Sequence, residues 1–194
     1  ETSVLHMAQA RGVSALEMIY DLLLVDAGRA LLYFPIYNYT EMNFDNLYTM
    51  MQHPQSIMGL SDGGAHVGTI CDSSFPTYLL SYWARDRERG ERIALSDAVR
   101  RLTSDIADYC GMHDRGRLRP GLKANINVID HDSLRLFAPR MVQDLPAGGQ
   151  RLLQDAAGYR AVVVAGEPVV LDDRLTGACP GRLFRAGQVA GAAA

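Results

Sequence analysis

Two short apolar runs constrain this chain more than any other feature. Residues 30–36 (ALLYFPI) and 57–60 (IMGL) are apolar without alternation. A strand with one wet face alternates apolar and polar side chains. An unbroken run therefore predicts a strand covered on both faces, as in the parallel sheet of an α/β fold. Helical signals surround the runs. Ser14-Ala15-Leu16-Glu17 is a capping box, followed by Leu16, Ile19, Tyr20, Leu23 and Leu24 at helical spacing, with Gly28 where a C′ residue belongs. Asn43-Phe44-Asp45 opens a short helix through Leu47, Met50 and Met51. Ser73-Ser74-Phe75-Pro76 starts another of about four turns, Ser96-Asp97 caps the next, and Gly111 closes the segment. Helices alternating with buried strands predict βα units.

The texture changes near residue 115. Gly116, Pro120 and Gly121 mark a turn, residues 124–130 alternate, and 161–166 with 169–171 predict a pair of strands around a short turn. Residues 144–151 (DLPAGGQR) read as loop, and the small-residue tail 188–194 as mobile. The boundary therefore falls between an α/β segment, 1–115, and a β-rich segment, 116–194. With 48% hydrophobic and 21% charged residues, the chain can bury a core, which excludes disorder and low complexity. The net charge of −3, without a basic stripe, points away from nucleic acid. No apolar run reaches the roughly 18 residues of a membrane helix, and the N-terminus lacks the pattern of a signal peptide. Cys71, Cys110 and Cys179 are odd in number and form no CxxC, which predicts free thiols in a reducing, cytoplasmic compartment. The missing initiator Met suggests a fragment.

The chemistry concentrates after the second run, in Ser61-Asp62-Gly63-Gly64-Ala65-His66. In parallel α/β folds, sites gather at the carboxyl ends of strands. A carboxylate there can bind a metal or take a proton from metal-bound water, and two glycines let backbone approach a ligand closely. Equally, Asp62 is suited to capping the following turn. His66 could bind substrate, assist proton transfer, or be satisfied by backbone. No two histidines form HxH, HxxxH or HExxH, so zinc ligation of ordinary spacing is absent. Cys71 reads as an inert thiol. Ser61, Asp62 and His66 carry the letters of a serine triad, but adjacent Ser and Asp project differently and GxSxG is missing. Tyr78, Tyr82 and Trp83 read as core, and Arg85-Asp86-Arg87-Glu88-Arg89 as a solvated helix end.

Residues 58–68 (MGLSDGGAHVG) and 73–80 (SSFPTYLL) resemble the C-terminal part of the N-acyl-D-amino-acid deacylase (D-aminoacylase) family of the amidohydrolase superfamily. So do 102–105 (LTSD), 116–125 (GRLRPGLKAN), 144–149 (DLPAGG), Gly158-Tyr159 and 176–182 (TGACPGR), which follow in family order across nearly the whole chain. Asn125 departs from the pattern, where these enzymes commonly have Asp. The resemblance implies an α/β fold: the C-terminal part of a (β/α)8 barrel (1–115), then a small β-sandwich segment (116–194). It implies a zinc hydrolase that cleaves a linear amide to a carboxylate and a D-amino acid. Asp62 would be its catalytic acid/base and a possible metal ligand, with Gly63, Gly64 and His66 at the substrate. The family's metal histidines have no counterpart here, and Lys123, the one lysine, falls in the sandwich link and so cannot bridge metals. A barrel typically needs about 250 residues, so the remainder of the barrel is the implied partner and the chain alone is expected to be inactive. A non-catalytic binding or oligomerisation module, and a cyclic-amide hydrolase of hydantoinase or dihydroorotase type, are the alternatives.

Overall fold

The computed structural model describes residues 3–35, 37–59 and 61–183. The last residues of both apolar runs, Ile36 and Leu60, and the 188–194 tail lie outside them. The chain divides into two compact units between Met42 and Asn43. The change of texture near residue 115 falls inside the second.

The described residues of the first unit form two helices, α1 (Val4–Arg11) and α2 (Ala15–Gly28). Ser3 and Ser14 cap them, each hydroxyl accepting a backbone N–H three residues on at 3.2 Å. In α2, Val25, Asp26 and Ala27 leave helical geometry, and Gly28 follows at φ 80°, so a left-handed turn ends the helix. The apolar stripe of α2 does not form a core: Met18 is buried, whereas Leu16 is 78% exposed. Two helices alone have too little facing surface to cover such a stripe.

The first apolar run is likewise corrected. Residues 30–35 form no strand, and Tyr33 and Phe34 are 85% and 80% exposed. Residues 57–59 form none either. A strand buried on both faces takes its hydrogen bonds and its cover from neighbours. No parallel neighbour occurs among the described residues, where every paired strand is antiparallel and begins at Ile126 or later.

The second unit opens with α3 (Asp45–Gln52), where the Asn43 carboxamide oxygen accepts the Asp45 N–H at 2.9 Å. α4 (Phe75–Tyr78) widens into a π-helix (Leu79–Asp86). Together they make about three turns rather than four. α5 (Leu95–Leu102) starts before the expected cap, and Asp97 instead pairs with Arg100 and Arg101 from its first turn. α6 (Ser104–Tyr109) follows, and Gly111 turns the chain at φ 68°.

Among the described residues, eight antiparallel strands complete the unit. β1 (Ile126–Ile129), β6 (Tyr159–Val164), β7 (Glu167–Leu171) and β8 (Arg174–Leu175) form one sheet in that order. Both central residues of its β6–β7 turn, Ala165 and Gly166, have positive φ, as do Asp172 and Asp173 between β7 and β8. That backbone twist matches a two-residue hairpin. β2 (Arg135–Leu136) pairs with β5 (Ala156–Ala157), and β3 (Arg140–Leu145) with β4 (Gly149–Leu153). The β3–β4 hairpin corrects the loop expected at 144–151. Pro146, Ala147 and Gly148 form its tight turn, and Asp144 grips Arg151 across it with two bonds of 2.7 Å.

The core of this unit gathers Met51, Leu79, Leu80, Trp83, Ile93, Ala98 and Leu134. Helical and β-rich segments are tied together there. Thr77 Oγ1 and Tyr159 Oη are 2.6 Å apart, and Arg85 donates to the carbonyls of His131 and Leu134. Gly158 lets the backbone of Leu134 approach to where a Cβ would sit 2.7 Å from its Cα. The charged run at 85–89 is not wholly solvated. Arg87 is 1% exposed, stacks 4.3 Å over Trp83 and bonds Asp45 at 2.8 Å. Planar guanidinium and indole bury each other while the charge keeps a carboxylate. Mixed α/β with antiparallel sheets is therefore the observed class.

Candidate functional site

The loop from Ser61 to Cys71 is two successive turns. Asp62 O accepts the Ala65 N–H at 2.9 Å, and His66 O accepts those of Thr69 (2.7 Å) and Ile70 (3.0 Å). Asp62 and His66 both hold left-handed backbone, at φ 53° and 42°, and Gly64 does so at 98°. Aspartate and histidine tolerate that region better than most side chains, yet two such residues in one short loop are uncommon. Gly63 has a different reason to be small: a Cβ there would meet the Ser73 Cβ at 2.9 Å.

The loop is docked on the β4 strand. The Leu152 N–H donates to Val67 O at 2.7 Å, and Ser74 Oγ donates to Gln154 Oε1 at 2.6 Å. Between loop and strand lies a cleft of about 140 Å³, whose walls include Gly63, Gly64, Asp72, Ser73, Arg151 and Gln154. Gly63 and Gly64 therefore reach one cavity. Asp62 and His66 are exposed beside it and are not in its lining. Neither side chain makes a hydrogen bond or ion pair with a described residue, so the Asp62 carboxylate does not act as the cap of its own turn. The acid and two glycines that follow the IMGL run mark the loop in the sequence. Arg151 was missed, because its place depends on a hairpin hidden in what reads as loop.

Charge at the cleft is fixed locally. Asp144, hydrogen-bonded to Arg151, raises the guanidinium's pKa, and Arg151 in turn lowers that of Asp144. Burial and the neighbouring Asp72 push the Cys71 thiol up, so it stays protonated and inert near neutral pH. The three cysteines are free. A larger, shallower basin of about 480 Å³ includes Asp108, His113, Arg117 and Arg119, but its Asp108 is already held by Arg117 at 2.6 and 2.8 Å.

A structural zinc takes four protein donors and a catalytic one three. No group of three or more His, Cys, Asp or Glu side chains able to hold an ion occurs among the described residues. At the loop they offer the unpaired carboxylate of Asp62, not a coordination sphere. No helix among them is long and apolar enough to cross a membrane. Neither a curated protein nor a solved structure matches the chain. A family model does match, that of the amidohydrolase family, over residues 4–170. Since that match takes in most of the sequence, the chain belongs to the amidohydrolase family.

Proposed function

We propose that the chain contributes the acid/base carboxylate, Asp62, to a zinc-dependent hydrolase of the linear amide in N-acyl-D-amino acids. Family membership supports the reaction class, since an amidohydrolase domain suggests hydrolysis. The D-aminoacylase-like motifs at 58–68 and 116–125 support the substrate class. The observation that carries the reading is the state of Asp62: exposed, unpaired among the described residues, and followed at once by two glycines that line a cleft.

In this reading Asp62 takes a proton from the attacking water as the new C–O bond forms. It then delivers that proton to the amide nitrogen as the C–N bond breaks, releasing a carboxylate and a D-amino acid. Gly63 and Gly64 meet the substrate through their backbone, and His66 contacts it from the same loop. Zinc and its remaining ligands belong to residues outside this sequence. The remainder of a (β/α)8 barrel is the partner, and 116–194 contributes to a small β-sandwich. The exposure of Leu31, Leu32, Tyr33 and Phe34 supports the barrel partner, because consecutive large apolar side chains facing water suit a surface that another element covers.

The test compares the intact gene product, loaded with zinc, with the 194-residue chain on N-acetyl-D-alanine and on hydantoin. Hydrolysis of N-acetyl-D-alanine by the intact product alone is expected. Turnover by the isolated chain, or of hydantoin in place of the linear amide, would overturn the reading.

A further inference from the structure

The cleft beside the Asp62 loop carries two charges of opposite sign, Arg151 and Asp72, that do not pair with each other. Arg151 donates through Nε and Nη2 to Asp144, which leaves Nη1 without an acceptor among the described residues. Asp72 lines the same cleft from the loop side. Its carboxylate is exposed and accepts no hydrogen bond from a described residue. Asp144 is the carboxylate that acts on Arg151, and Asp72 is not among its influences. The backbone N–H groups of Gly63 and Gly64, on the same wall, also lack an acceptor among the described residues.

Size and charge together narrow the ligand. At about 140 Å³ the cleft is below the roughly 300 Å³ where sites for drug-sized ligands begin, so it suits a solute of a few heavy atoms. Because Asp144 already balances Arg151, a simple carboxylate would gain the Nη1 donor but meet the like charge of Asp72. A simple ammonium would gain Asp72 but leave Nη1 and the two glycine amides without an acceptor. A small zwitterion satisfies both.

We propose that this cleft holds a small free α-amino acid, its carboxylate on Arg151 Nη1 and the Gly63 and Gly64 amides, its ammonium on Asp72. The choice of the D enantiomer, as the released product, rests on the deacylase reading. The acylated substrate has no ammonium, so the cleft favours product over substrate and retains it beside Asp62.

The test is an amide-resolved NMR titration of the chain with D-alanine, N-acetyl-D-alanine and D-alaninamide. D-alanine is expected to shift the Gly63 and Gly64 amides saturably. The two analogues, each lacking one charge, should bind at least about tenfold more weakly. Asp72→Asn touches an exposed side chain without partners, so it leaves the fold intact and should close the gap between D-alanine and its N-acetyl form. Arg151→Gln should weaken D-alanine by a similar factor, with its melting curve checked because the Asp144 pair is lost. The absence of a saturable shift at these glycines, or equal binding of D-alanine and N-acetyl-D-alanine, would overturn the proposal. Binding of D-alanine with no hydrolysis of N-acetyl-D-alanine by the intact product would instead sink the deacylase reading and leave the amino-acid site standing.

Discussion

The two units treat the same kind of sequence signal in opposite ways. In the second, Trp83 and Leu134 sit at 3% and 0% exposure among apolar neighbours from helices and strands. In the first, Leu16, Tyr33 and Phe34 are as apolar but lie open. Hydrophobic patterning states which surface wants cover; it does not supply the cover. A unit whose described residues form two helices and an irregular segment lacks the facing elements that a helical layer plus antiparallel sheets provides.

Core truncation should break that symmetry most visibly. Trp83→Ala is expected to cost roughly 3–5 kcal/mol by chemical denaturation, with loss of the platform under Arg87. Phe34→Ala should stay within about 0.5 kcal/mol in the same measurement. Comparable losses from both would mean that Phe34 is buried in solution and that the contrast is false. Next in size is Gly158→Ala, which places a Cβ against the Leu134 backbone at a φ of 107°. It should cost roughly 1–3 kcal/mol, read as a lower melting temperature. An unchanged melting temperature would remove that close approach from the account.

Acid gives the smallest and most selective effect. Asp86, Asp97 and Asp114, all in the second unit, are held below their ordinary value of 3.8, each chiefly by a hydrogen bond from an arginine. A carboxylate whose folded pKa is depressed stabilises the fold above its unfolded pKa and loses that contribution as pH falls through the folded one. Stability of the second unit should therefore hold from neutral pH down to about 4 and decline below it. Helical signal from α1 and α2 should not follow that decline. A stability loss beginning near pH 6 would point to histidine rather than to these pairs.

How much was legible in the sequence follows from where each signal is completed. Ser14 is recognisable because its cap closes within three residues, and Ala165-Gly166 because a two-residue hairpin is written in its own turn. The runs at 30–36 and 57–60 are legible as apolar, but the strands expected there do not form at 30–35 or 57–59, because strand pairing depends on neighbours far along the chain. Arg87 was hidden for a related reason. Within Arg85-Asp86-Arg87-Glu88-Arg89 it looks like any solvated cation, and its burial depends on Trp83, Tyr48 and Asp45. At the site, Asp62 stands out locally as an acid before two glycines. Arg151 and Asp72 become neighbours of one cleft only after the Leu152–Val67 bond docks loop on strand.

The central claim is that Asp62 carries the proton in amide hydrolysis. Its most direct test is the turnover of N-acetyl-D-alanine by the intact gene product bearing Asp62→Asn, with bound zinc quantified in parallel. The account predicts that kcat falls by about 100- to 10,000-fold while the variant stays folded and still binds D-alanine. Undiminished turnover by the variant would contradict it.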